Sequence, residues 1–291
     1  MITNDTAIHT RALLVWLQIS SWSARKYDKR ITQTVNRQNN ASDDAGRYNK
    51  MLLPGDANSY KTLTALLGSL RAWHYSETLP WADEGNRLLT TANFTNYADT
   101  LRKKIADIDR AADEFVQDYP TLRTQAAMRL GGLYKPEDYP NVSDIRSKFS
   151  VNVSYNPVPM ADDIRVNLAA DQIAMIEKSI NASTTTAIHT AMQDCWQRLH
   201  EVVSHACDKL SDPSAIFRDS LIENVQDVCN VLDKLNVTND PDLESMRATV
   251  QKTIASMNPQ TLRDSKVARQ TTADKAKAIL DSMAAFYGNA A

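Results

Sequence analysis

Glycine is scarce in this sequence, with 7 glycines among 291 residues. Sheet-rich folds and phosphate-cradling loops both use glycine at positions with positive φ. The sequence contains no Gly-x-Gly-x-x-Gly motif and no phosphate loop, and the pair Gly131-Gly132 is interpreted as the end of a helix. The scarcity of glycine therefore favours helices joined by few tight turns.

Cysteine is also rare, and long apolar runs are missing. The three cysteines, Cys195, Cys207 and Cys229, lie on predicted helices without the dense spacing of a disulfide framework, so we interpret them as reduced core residues. The apolar run 12–17 is too short to span a membrane and lacks the flanking features of a signal peptide. The sequence therefore predicts a cytoplasmic protein with no membrane partner.

The formal net charge is only −2, which leaves no strong overall field to attract nucleic acid or anionic lipid. The charges are unevenly distributed, however, because residues 1–75 contain ten Lys or Arg against five Asp. Aromatic residues are mixed with the basic ones here, and such mixtures can hold phosphates and stack bases. The alternative is that the basic residues solvate a helix whose aromatic side chains pack inward. The candidate nucleic-acid-binding residues are Arg25, Lys26, Lys29 and Arg30.

Two stretches carry apolar residues at alternating spacings of three and four, which is the pattern of a coiled-coil seam. One covers 98–126 and the other covers 173–206. A similar spacing over 13–35 predicts a single N-terminal helix. Each seam needs a partner for its apolar stripe, so the simplest arrangement folds the two seams back on one another as an antiparallel hairpin.

Strand-like alternation of apolar and polar residues occurs between the two seams, at 149–155 and again at 164–168. The predicted fold class is therefore all-α: an elongated helical bundle with a long antiparallel coiled-coil hairpin carrying a small β-hairpin tip. The expected divisions are an N-terminal helical unit at 1–92, the coiled-coil hairpin at 93–210 with its tip at 134–168, and C-terminal helices that pack on the bundle at 211–291.

No catalytic or metal-binding motif stands out in the sequence. His200 and His205 are five residues apart, which separates them by about 140° around a helix. The cysteines fall on apolar stripes and not beside a general base. We therefore predict that the protein is not an enzyme and has no metal site and no cofactor. A hydrolase whose site is assembled from distant residues is the remaining alternative.

Several short segments form a recognisable set: Leu-Gln-Ile-Ser-Ser-Trp at 17–22, Glu-Phe-Val-Gln-Asp-Tyr-Pro at 114–120, and Leu-Tyr-Lys-Pro-Glu-Asp-Tyr-Pro at 133–140 with Phe149 and Val158-Pro159. Through them the chain resembles an uncharacterised helical protein family of bacteriophages and mobile elements. The family offers no known catalytic residues. The resemblance implies a protein of a bacterial or phage-infected cell, sometimes encoded near a MoxR-type ATPase and a von Willebrand A-like protein.

The favoured hypothesis is a non-enzymatic protein–protein interaction or assembly protein, in which the helical arm presents the tip to a partner. The resemblance implies an AAA+ ATPase or a host protein as that partner, and a homo-oligomer is left open. The alternative hypothesis is a nucleic-acid-binding protein that uses the basic, aromatic N-terminal region. The candidate partner-binding residues of the tip are Tyr139, Pro140, Phe149 and Pro157.

Overall fold

The computed structural model describes residues 5–81, 85–163 and 168–287. It is 69% helical, but it also contains a four-stranded antiparallel sheet and a two-stranded sheet. The all-α fold class predicted from the sequence is therefore wrong, and the fold is mixed but dominated by helices. The error begins in the apolar run near the N-terminus, whose spacing suits a helix but which forms a strand.

The described residues form α-helices and strands in the following order. The helices are α1 (Asp5–Arg11), α2 (Lys29–Gln38), α3 (Asn58–Ser76), α4 (Thr91–Leu130), α5 (Val142–Ile145), α6 (Ala170–Ser211), α7 (Ser220–Leu235), α8 (Pro241–Val250), α9 (Pro259–Asp264) and α10 (Lys266–Tyr287). The strands are β1 (Ala12–Ser20), β2 (Arg25–Tyr27), β3 (Asn49–Met51), β4 (Leu79–Pro80), β5 (Asn86–Thr90) and β6 (Ser150–Pro157).

The chain divides into two compact units, and each unit is assembled from separate stretches of sequence. Unit 1 comprises Met1–Trp16, Trp73–Ala98 and Ser154–Ala291, and unit 2 comprises Leu17–Ala72 and Asp99–Val153. These units differ from the three contiguous segments expected from the sequence. Unit 2 contains 18 Lys or Arg against 13 Asp or Glu, a formal charge of +5, and unit 1 contains 15 against 22, a formal charge of −7.

The four-stranded sheet has the strand order β4-β5-β1-β6. Strand β1 pairs antiparallel with β5, which places Leu14 opposite Leu88, and β4 adds to β5 with Leu79 opposite Leu88. All three leucines are buried. A nearly continuous apolar run such as β1 is typical of a strand that is covered on both faces.

Helix α6 buries a stripe of small and apolar residues spaced three or four apart. This stripe packs against α10 and α7 of the same unit. The helix predicted over the second seam is confirmed, and its packing partners within unit 1 include these C-terminal helices and strand β4. The buried stripe includes Ala191, Cys195, Leu199, Val203, Ala206 and Leu210.

The core of unit 2 contains a cluster of aromatic rings. Phe115 lies at its centre, with ring centroids 5.5 Å from Tyr60, 5.6 Å from Tyr119 and 5.5 Å from Phe149. Trp22 adds edge contacts to the rings of Tyr60 and Tyr119. Such aromatic pairs contribute about 0.5 to 1.5 kcal/mol beyond the burial of their surface. This cluster holds α3, α4 and the chain around Phe149 together.

The β-hairpin tip predicted at 134–168 is corrected in its first strand, which joins a larger sheet instead of standing alone on a helical arm. The first predicted strand is β6, which lies at the edge of the four-stranded sheet beside β1. Residues 164–167 of the second predicted strand lie outside the described residues. Tyr139 and Phe149 are buried, because large aromatic side chains gain more by packing in a core than by facing water.

None of the helices formed by the described residues is both long enough and apolar enough to cross a membrane.

Candidate nucleic-acid interface

The basic N-terminal segment folds as a strand followed by a helix, and not as one continuous helix. Strand β2 pairs antiparallel with β3, with Lys26 opposite Lys50 and Tyr27 opposite Asn49. We call this pair of strands the ribbon. The chain enters it through Ala24, whose φ of 51° lies in the left-handed region that costs a non-glycine residue about 1 to 2 kcal/mol. The Ala24 carbonyl is fixed by a hydrogen bond from the Leu52 N–H at 2.8 Å.

Asp28 connects the ribbon to α2. Its side-chain Oδ1 accepts a hydrogen bond from the Ile31 N–H at 3.1 Å and so caps the helix, as aspartate commonly does at this position. Its own backbone N–H donates to the Tyr48 carbonyl at 3.0 Å. The Thr32 hydroxyl donates to the Asp28 carbonyl and accepts from the Tyr48 N–H, both at 2.9 Å. The first turn of α2 therefore has a fixed position beside the ribbon.

Lys50 of β3 is a buried cation, with 2% of its side chain exposed. Its Nζ lies 2.5 Å from Oδ2 of Asp138 and 3.6 Å from Oδ2 of Asp28, and it donates a hydrogen bond to the Leu133 carbonyl at 2.9 Å. A buried ammonium without partners would cost several kcal/mol. These three acceptors explain how a lysine is tolerated at this position.

The chain at the end of α4 is tied to β3 by hydrogen bonds. The Arg129 guanidinium donates to the carbonyls of Met51 and Leu53, the second at 3.1 Å. The Tyr139 hydroxyl donates to the Leu52 carbonyl at 2.7 Å. These contacts hold the intervening segment, which includes Lys135, beside the ribbon.

The ribbon, the start of α2 and the segment around Lys135 enclose a groove of about 540 Å³, which we call the basic groove. Five basic and two acidic side chains line it, so its formal charge is +3. Both acidic side chains, Asp28 and Asp138, pair with Lys50. Within the described ranges, the other four cations form no ion pair with a carboxylate. These exposed cations are Lys26, Lys29, Arg30 and Lys135.

The pKa of the Asp28 carboxyl is lowered below its ordinary value of 3.8, chiefly by the hydrogen bond from the Ile31 N–H. The positive charges of Lys50, Lys135 and Arg30 lower this pKa further, while burial acts in the opposite direction. Asp28 is therefore ionised at neutral pH and continues to neutralise Lys50. The exposed cations of the groove remain available to an anion from outside.

Three of the four basic residues singled out in the sequence, Lys26, Lys29 and Arg30, line the basic groove. Arg25 does not line the groove, and it shares a face of the ribbon with Tyr27, two residues along the same strand. The sequence left open whether this basic surface is exposed. All four side chains are exposed in the structure.

The four residues singled out as a partner-binding tip are not brought together on one surface. Tyr139 packs with Leu52 and Ala126 in the core of unit 2, and Phe149 packs against Phe115. The carbonyl of Pro140 accepts a hydrogen bond from the Tyr119 hydroxyl at 2.9 Å. Pro157 belongs to unit 1 and is exposed at the end of β6.

Sequence reasoning missed the residues that complete the groove. Asp28 carried a local signal, because an aspartate directly before a helix is a common N-cap. No local sequence signal pointed to Lys50, Lys135 or Asp138. These residues come together only because hydrogen bonds join the end of α4 to the chain around β3.

The cysteines singled out in the sequence lie in the core. The three cysteines are buried and unpaired, and burial raises the pKa of the Cys195 thiol to about 12 and that of Cys229 to about 11. The described residues contain no group of three or more His, Cys, Asp or Glu side chains arranged to hold a metal ion.

Comparison with known proteins gives no relative, because no protein-family model, no curated protein and no solved structure matches this chain.

Proposed function

We propose that this protein binds nucleic acid through the basic groove. One observation supports the proposal most strongly. Four exposed cations line one groove, three from residues 26–30 and Lys135 from the chain after α4, while both carboxylates of that groove pair with a buried lysine. Phosphate contacts by Lys and Arg supply most of the affinity in binding that does not depend on sequence.

The geometry favours a polyanion over a single small anion. The cations line an open groove and do not surround one enclosed point. Lys29 and Arg30 also lie in the first turn of α2, where the partial positive charge of the helix adds to their own. A chain of successive phosphates can contact several of these groups at once.

The test is a comparison of two charge-reversed variants of the full-length protein. Lys29→Glu/Arg30→Glu removes two cations from the groove, whereas Lys61→Glu/Arg71→Glu makes the same change in net charge on exposed residues of α3 in the same unit. Glutamate near the start of a helix is favourable for the helix dipole, so the groove variant is expected to fold. Fluorescence anisotropy with labelled DNA measures the affinity of each variant.

The expected result is a loss of at least about tenfold in affinity for the groove variant and a change of less than about threefold for the α3 variant. If both variants lost the same amount of affinity, binding would depend on the net charge of the protein and not on the groove. Absence of binding by the wild-type protein at low salt, to both single- and double-stranded DNA, would refute the proposal.

A protein partner is the second candidate function, and strand β6 favours it. This edge strand has no charged residue over its eight positions, and Tyr155 packs its exposed ring on Phe94 at 5.7 Å between centroids. Edge strands without charges commonly pair with a strand of another chain. The resemblance to a phage and mobile-element family suggests a MoxR-type ATPase as partner, in the bacterial cytoplasm.

Co-expression with such an ATPase tests this second candidate. Asn152→Lys would place a charge on an exposed position of the edge strand and is expected to reduce co-purification. Unchanged co-purification of this variant would exclude β6 as the contact.

A further inference from the structure

The basic groove continues onto an exposed face of the ribbon. Residues directly opposite one another in an antiparallel pair share a face, as do residues two apart in a strand. The register therefore places Arg25, Tyr27, Asn49 and Met51 on one face. All four are exposed, and Tyr27 and Met51 expose 46% and 48% of their surface.

Tyr27 and Tyr48 are exposed aromatic residues of unit 2, and Tyr27 is the one that lines the basic groove. The rings of Trp22, Tyr60, Tyr119 and Tyr139 all contact other rings. Within the part of the chain that the structure describes, the Tyr27 ring has no ring partner, no cation above it and no hydrogen bond. Its broad apolar face is free to contact a ligand.

Tyr27 also belongs to the wall of the basic groove. It is therefore next to the cations that would hold phosphates and on the same face as Arg25 and Asn49, whose side chains can hydrogen-bond to the edges of bases. A nucleotide carries a phosphate beside its base, and the groove offers cations for the one and an aromatic ring for the other.

We infer that the groove binds single-stranded nucleic acid, with a base stacked on Tyr27 and the adjoining phosphates on Lys26, Lys29, Arg30 and Lys135. This inference rests on the proposed nucleic-acid-binding function and adds the class of ligand. In a duplex the faces of the bases are covered by their neighbours, so only an unpaired base can lie flat on the ring.

The test separates the contribution of the bases from that of the phosphates. Three fluorescent probes of equal length are compared: an oligothymidylate, an abasic strand and a duplex. A length of about 20 nucleotides exceeds the roughly 4 to 16 nucleotides of a typical single-strand site. Their affinities are measured by anisotropy for the wild-type protein, Tyr27→Ala, Tyr27→Phe and Lys29→Glu/Arg30→Glu. Circular dichroism melting checks that each variant is folded.

The wild-type protein is expected to bind oligothymidylate about 5-fold to 100-fold more tightly than the abasic strand, and also more tightly than the duplex. Tyr27→Ala abolishes the preference over the abasic strand, Tyr27→Phe retains it because the ring is kept, and the charge reversal weakens both strands alike. Equal binding of oligothymidylate and abasic strand by the wild-type protein, or tighter binding of the duplex, overturns the inference but leaves the proposed function standing. Binding of no probe overturns both.

Discussion

The Nζ of Lys50 lies 2.5 Å from Oδ2 of Asp138, and both side chains are more than nine-tenths buried. This contact joins β3 to the turn that follows α4. The Lys50 ammonium also neutralises a carboxylate that would otherwise repel a phosphate in the basic groove. The pair therefore affects both the stability of unit 2 and the charge of the groove.

The first prediction concerns this buried charge. Lys50→Met leaves Asp28 and Asp138 buried without a cation, and we expect a loss of about 3 to 5 kcal/mol in the free energy of unfolding. Replacing all three residues, as Lys50→Met with Asp28→Asn and Asp138→Asn, removes the unpaired charges and should recover most of that loss. Asparagine is as good an N-cap as aspartate, so α2 keeps its cap. Urea unfolding measures both variants, and a triple variant no more stable than Lys50→Met would contradict this account.

The second prediction concerns the dependence of unit 1 on pH. His74 is buried and its Nδ1 lies 2.8 Å from the Tyr97 hydroxyl. Burial lowers the pKa of His74 from 6.5 to about 4, with a smaller contribution from Arg87. Because the unfolded chain takes up this proton first, the stability from neutral His74 is complete above pH 6.5 and is lost as the pH falls towards 4.

Between pH 6.5 and about pH 5 this effect amounts to about 2 kcal/mol. Thermal or urea unfolding of His74→Gln should show a weaker dependence on pH over this interval than the wild-type protein. The control is His189→Gln, which changes an exposed histidine of the same unit and should keep the wild-type dependence. An identical pH dependence for His74→Gln and the wild-type protein would show that His74 is not the group responsible.

The third prediction concerns the aromatic core of unit 2. Phe115→Ala removes a fully buried ring that contacts three others, and we expect a loss of about 3 to 5 kcal/mol in the free energy of unfolding. Met128→Ala on the same helix removes a side chain that is 75% exposed and should change stability by less than about 0.5 kcal/mol. Similar losses for the two variants would disprove the central place of Phe115.

The long helices could be predicted from the sequence, because their apolar spacing is repeated over many turns. The first seam lies within α4, which continues through Pro120, and the second lies within α6. Local periodicity is enough for such helices, since each turn supports the next. The arrangement of the two helices was not predictable in this way, because any apolar surface of suitable shape can cover a seam.

Strand β1 shows where local reasoning fails. Its apolar residues fit both a helix and a buried strand, and only its pairing with β5 decides between them. The basic groove likewise contains some residues that the sequence pattern indicates and others that only the tertiary structure brings in. Lys26, Lys29 and Arg30 stood out in the sequence, whereas Lys135 reaches them only through hydrogen bonds that bind the end of α4 to β3.

The salt dependence of binding to single-stranded DNA tests the central claim most directly. If the four exposed cations of the basic groove neutralise phosphates, each contact releases about 0.7 counterions. A plot of the logarithm of the association constant against the logarithm of the salt concentration should then have a slope of about −2 to −3. Lys29→Glu/Arg30→Glu should reduce the magnitude of that slope by about 1 to 2, while Lys61→Glu/Arg71→Glu leaves it unchanged. A slope near zero for the wild-type protein, or the same slope in the groove variant, would contradict the assignment of the basic groove as the nucleic-acid-binding surface.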